Sequence, residues 1–123
     1  MSKINVLVLS NGELKEKEID NDLKSLQKEV DGYIEIPFIC EKFMENNIDV
    51  IINEEGKINR LNKELAIVKD DKIIDVICGN CIFTSTDDEG NTIGLSNEQM
   101  DIVRDKLNCD IICQYGFIKM IEV

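Results

Sequence analysis

Asn11-Gly12 stands between "INVLVLS" and "ELKEKEI". A two-residue type I′ turn needs positive φ at both positions, and Asn-Gly meets that demand at low steric cost. The chain therefore opens with a β-hairpin. Its second strand alternates Lys and Glu with few apolar groups, as suits an exposed sheet edge where charge discourages aggregation.

The next segment reads as a helix. Asp20 or Asp22 can cap it, Leu23, Leu26 and Val30 share one face, and Gly32 ends it. "YIEIPFIC" reads as a strand that Pro37 confines to an edge or bulge, and residues 41–47 as a polar loop or helical turn. A strand over Asp49–Asn53 leads to a turn at Glu54–Gly56 and a short continuation, where Leu61 and Leu65 face inward from a turn of helix. "KIIDVIC" and "CIFTST", separated by Gly79-Asn80, read as one kinked strand or a tight hairpin. Ser96 and Gln99 form a capping box ahead of a second helix whose apolar face carries Met100, Val103 and Leu107. "DIICQYGFIKMIEV" closes as a long strand with a bulge at Gly116. The expected class is α+β: a predominantly antiparallel sheet with two α-helices packed on it, in one domain over residues 1–123. Halves of a 123-residue chain would be too small for cores of their own.

Composition narrows the chemistry. The chain has 25 acidic and 14 basic residues, a formal charge of −11, and no histidine. Without histidine the commonest general acid/base and metal ligand is missing, so no enzyme activity and no catalytic residue is expected. A phosphate backbone needs a basic face, which two arginines in an acidic chain do not supply, and nucleic acid is not an expected partner. No stretch approaches the roughly 20 apolar residues of a membrane span and no signal peptide is visible. A cytoplasmic location away from the membrane is expected.

The five cysteines are Cys40, Cys78, Cys81, Cys109 and Cys113. The Cys78/Cys81 and Cys109/Cys113 pairs have the look of a four-thiolate zinc site, and a Cys-x-x-Cys can also be a redox pair. The flanking residues are β-branched, whereas a redox pair opens a helix. Buried, inert thiols are the favoured reading, with no metal and no cofactor. "DDEGN" at 87–91 lacks the spacing of a calcium loop. Arg60 and Arg104 can each grip a phosphate, though a surface ion pair is the plainer role for both. Phe83 and Tyr115 are candidate stacking platforms, with core packing the plainer role for Phe83. Asn80, Ser85, Asn91 and Thr92 can supply polar contacts.

The stretches "INVLVLSNGELKEKEIDNDLKSLQKEVDGYIEI", "INEEGKIN", "IIDVICGNCIFTS" and "GLSNEQMDIV" together resemble a family of small proteins of unknown function common in phages, prophages and conjugative elements. The resemblance spans roughly 3–107. It implies that Cys78 and Cys81 occupy substitutable core positions. This chain departs from the pattern in its Ile-rich Asp110–Val123 segment, a strand that can pair with a neighbouring subunit in a homo-oligomer. By type the chain also resembles phage anti-Thoeris sponges, oligomers that sequester cyclic ADP-ribose-type nucleotides without cleaving them. That resemblance implies an anti-defence role with a cyclic ADP-ribose isomer as partner, for which Arg60, Phe83, Asn91, Thr92 and Arg104 are the candidate ligand-binding residues. An acidic protein-binding inhibitor that mimics nucleic acid and blocks a host defence nuclease or restriction complex is the alternative.

Overall fold

The computed structural model describes residues 2–113 and 116–123. The opening hairpin forms as expected: β1 (Lys3–Ser10) and β2 (Glu13–Asp20) pair antiparallel without a break. Asn11 and Gly12 turn at φ 53° and 78°. Asp22 caps α1 (Leu23–Val30), its carboxylate accepting from the Ser25 amide at 2.7 Å. The Asp22 carboxyl is held below its ordinary range by that amide. Leu26 and Val30 are buried, but Leu23 is not. The left-handed residue that ends the helix is Asp31, at φ 59°, not Gly32. Gly32 serves another need: a Cβ there would sit 2.6 Å from Asn53 Nδ2.

Only two residues of "YIEIPFIC" form a strand, β3 (Ile34–Glu35). The polar stretch that follows contains a short helix, α2 (Glu41–Glu45). Next come β4 (Ile48–Asn53) and a run of turns through residue 60. Leu65 lies on a strand rather than a helical turn, in β5 (Lys63–Lys69). Asp70 and Asp71, at φ 51° and 64°, join β5 to β6 (Lys72–Cys78) in a second hairpin. β7 (Cys81–Thr86) and β8 (Thr92–Ile93) precede α3 (Asn97–Lys106), which has the expected capping box. The closing segment is two strands, β9 (Cys109–Cys113) and β10 (Gly116–Glu122), paired antiparallel.

The strands form two sheets. The first has the order β2-β1-β7-β4-β3, with β8 also on β7, and every pair is antiparallel. The second has the order β6-β5-β10-β9, in which β5 and β10 run parallel. Gly79-Asn80 is therefore neither a kink nor a hairpin. β6 belongs to the second sheet and β7 to the middle of the first, so the dipeptide carries the chain from one to the other. Gly79, at φ 96°, supplies the turn.

The main core lies between the inner faces of the sheets and is closed by α2 and α3. Leu7, Leu9, Val50 and Phe83 meet Leu65, Ile67 and Ile121 there, with Phe43, Met100, Val103 and Leu107 from the helices. α1 covers the opposite face of the first sheet with Leu26 and Val30 against Val6, Val8, Ile51 and Ile82. The fold is α+β, with antiparallel pairing dominant and three helices among the described residues. None of those helices is long and apolar enough to cross a membrane.

Candidate ligand-binding site at the hairpin tip

The tip of the first hairpin meets the second sheet at a buried carboxylate. The β5–β6 register shifts between Lys63 and Leu65, and such an irregularity re-aims a side chain. Glu64, at the shift, is 2% exposed. Its Oε2 accepts from the Asn11 amide at 2.8 Å and its Oε1 from the Gly12 amide at 2.9 Å. The type I′ turn presents two amides side by side, and a carboxylate is their bidentate acceptor. Asn62 Nδ2 donates to Asn11 Oδ1 at 3.2 Å, adding a second tie between the sheets.

Over this tie lies a recess of about 420 Å³ lined by Asn11, Arg60, Asn62, Lys63, Glu64 and Phe117, among others. Arg60 stands at φ 55° at the end of the turn after β4, its amide donating to the Lys57 carbonyl at 3.2 Å. A left-handed arginine costs about 1–2 kcal/mol relative to ordinary backbone, and such strain is a pointer to function. Its guanidinium has no ion-pair partner among the described residues. Phe117, on the β9–β10 hairpin, is 73% exposed. The lining of the recess has more cations than acids, Arg60 and Lys63 against a Glu64 already engaged by two amides. At physiological salt, charges beyond about 8 Å are largely screened, so the local balance outweighs the −11 of the whole chain.

The five residues singled out from sequence do not come together. Arg60 lines the recess. Phe83 is corrected: it is 0% exposed in the main core, edge-to-face on Phe43 at 6.0 Å, and offers no face to a ligand. Asn91 and Thr92 lie at the far end of the first hairpin, where Asn21 Nδ2 donates to the Thr92 carbonyl at 2.9 Å. The eight-residue ladder of β1 puts that end about 27 Å from the tip. Asn91 is tied to Asp87, which accepts from its backbone and side-chain nitrogens. Arg104 reaches Glu16 at 3.4 Å and Asp101 at 3.7 Å from the exposed surface of α3. Tyr115 lies outside the described residues. Phe117, Asn11, Asn62 and Glu64 were missed as site residues. The Asn-Gly turn signal was legible, but nothing local says that its amides meet a glutamate 53 residues away.

The cysteines separate as well. Cys40, Cys78 and Cys81 are buried, and Cys109 is exposed. Burial is the main cause that pushes the Cys81 thiol far above its ordinary range, with smaller contributions from Glu64 and Cys78. Cys78 on β6 and Cys109 on β9 lie on opposite edges of the second sheet, about 14 Å apart across three strand spacings, too far to share one ion. Among the described residues no group of three or more His, Cys, Asp or Glu is placed to hold a metal.

Residues 4–108 match the family described as a domain of unknown function (DUF3846). The match runs from β1 through α3 and stops just before β9. No curated protein and no solved structure matches the chain.

Proposed function

From the premise that the chain belongs to this family, whose description names no activity, we propose that it is a non-catalytic binding protein. It holds a small anionic, ring-bearing ligand of the nucleotide class in the recess at the hairpin tip. The observation that carries this reading is an arginine, with no ion-pair partner among the described residues, in the lining of the same recess as an exposed aromatic ring. Arg60 suits a phosphate or diphosphate and Phe117 suits a base. The amides of Asn11 and Asn62 suit ribose hydroxyls. Such a site needs preorganisation and no chemistry, and the Glu64 clasp fixes the floor of the recess. In the phage setting that the resemblance implies, the ligand is a cyclic ADP-ribose-type immune signal, sequestered in the host cytoplasm and released uncleaved. The anti-defence role follows from that withdrawal of the signal.

Calorimetric titration with cyclic ADP-ribose isomers, followed by mass spectrometry of ligand recovered after denaturation, tests the proposal. Binding with intact recovery is expected. Arg60→Ala and Phe117→Ala each weaken it about tenfold or more, while Arg104→Ala leaves it unchanged. No binding by any isomer, or equal affinity in Arg60→Ala, overturns the site. Recovery of a new chemical species overturns the non-catalytic part.

A second reading has one observation in its favour. The recess between the turn after β4 and β6 is lined by Glu35, Glu54, Glu55 and Asp75 against Lys57. That acidic patch fits a decoy for the basic groove of a defence nuclease. Such binding weakens steeply with salt, whereas loading of the Arg60 recess by a small ligand changes far less.

A further inference from the structure

The outer face of the second sheet is apolar, and no described helix packs on it. Ala66, Val68 and Ile118 are buried there, shielded by Val76, Ile111 and Met120. Edge strands invite pairing with another chain unless they are blunted, and three of the four sheet edges are. β2 alternates Lys and Glu. β3 is two residues long and is followed by Pro37. β6 is bulged at Ile74, where its register with β5 shifts, and carries Lys72 and Asp75. The edge strand β9, "CDIIC", has no such device. Its one charge, Asp110, is already paired with Lys119 at 3.1 Å.

We propose that a second copy of this chain docks on the β9 edge. The two β9 strands run antiparallel about a two-fold axis at Ile111, joining the second sheets into one of eight strands. Directly opposed residues of an antiparallel pair share a face, so Ile111 meets its own counterpart on the outer side and extends the apolar row that begins at Ile118. On the other side Ile112, now 72% exposed, is covered beside the Asp110–Lys119 pair of the second copy. Charge decides for this seam. Two chains of −11 repel at most approaches, but here the only acid brought to the seam has its cation with it, so no unpaired like charges meet. A closed two-fold pairing also removes the open edge. The strands concerned lie beyond residue 108, where the family match stops, so the docking edge is an addition to the matched domain. This proposal does not rest on the ligand reading.

Sedimentation velocity of the full chain across a concentration series is the test. Twice the 14.0 kDa chain mass is expected. Ile112→Lys, at an exposed position that the fold does not need, raises the dissociation constant by about tenfold or more and leaves the melting temperature of dilute protein unchanged. Arg60→Ala leaves the dimer intact, which separates this outcome from failure of the ligand site. A 14.0 kDa monomer at every concentration overturns the proposal. So does an open-ended aggregate, or a dimer indifferent to Ile112→Lys.

Discussion

The two sheets share a core but differ in what covers them. The first is covered on both faces, by the second sheet with α2 and α3 on one side and by α1 on the other. The second has only its inner face in the core, and its outer face has neighbouring side chains for shelter. Exposed apolar groups separate the sheets in another way. The three inner strands of the first expose no large one, whereas Phe117 and Ile112 of the second share the inner side with Ile121 but lie past the start of the β5 ladder, where the core has ended. Double coverage gives stability. The candidate site lies where the second sheet runs on beyond the shared core.

The sharpest way to break this comparison is a matched pair of truncations. Ile82→Ala, beneath α1 at 0% exposed, is expected to cost about 2–5 kcal/mol in urea unfolding. Ile118→Ala, on the outer face of the second sheet, is expected to cost about half as much or less in dilute protein, because solvent and flexible neighbours can fill the gap. Equal losses would mean that the outer face is covered after all. Glu64→Ala comes next, at about 1–3 kcal/mol by thermal melting, since it strands the two amides of the hairpin tip. A loss near zero would show that the sheets are held together by apolar contact alone. Acid probes a single helix start. Asp22 is held below its ordinary 3.8, so its contribution is full above that pH and fades as pH falls through the lowered value. The acid limb of stability should flatten in Asp22→Asn, where an amide takes over the cap, and an unchanged limb would place acid sensitivity elsewhere. The smallest effect expected is Arg104→Ala, below about 0.5 kcal/mol, because its pairs with Glu16 and Asp101 are exposed. A larger value would mark α3 as an electrostatic anchor of β2.

What could be read from the residues was what local physics decides. Asn11-Gly12 announced its turn because positive φ at two positions admits few alternatives. The Ser96–Gln99 box was legible because donors and acceptors lie three residues apart, and the first helix's cap was legible only as a choice between Asp20 and Asp22, of which Asp22 takes the role. The second hairpin was missed because Asp70-Asp71 adopts positive φ without the glycine that usually marks it. Strand partners were not legible. "KIIDVIC" and "CIFTST" look alike as apolar runs, and only long-range packing sends one to each sheet. The parallel β5–β10 ladder is of the same kind. For the site, Phe83 and Phe117 are equivalent as residues. One is in the core and the other in solvent because β7 is central to its sheet, whereas the β9–β10 hairpin continues past the start of its β5 ladder.

The Glu64 clasp has a kinetic consequence. It joins residues 52 and 53 positions apart in the chain, whereas the turn it grips closes across two residues. The turn can form early and alone, but the clasp needs both sheets in place, since closing long loops precedes any reward from the contact. An interaction absent from the transition state acts on the rate of leaving the native state. In a chevron experiment Glu64→Ala should therefore raise the unfolding arm and leave the folding arm nearly where it was, which makes this carboxylate a brake on opening rather than a guide to assembly.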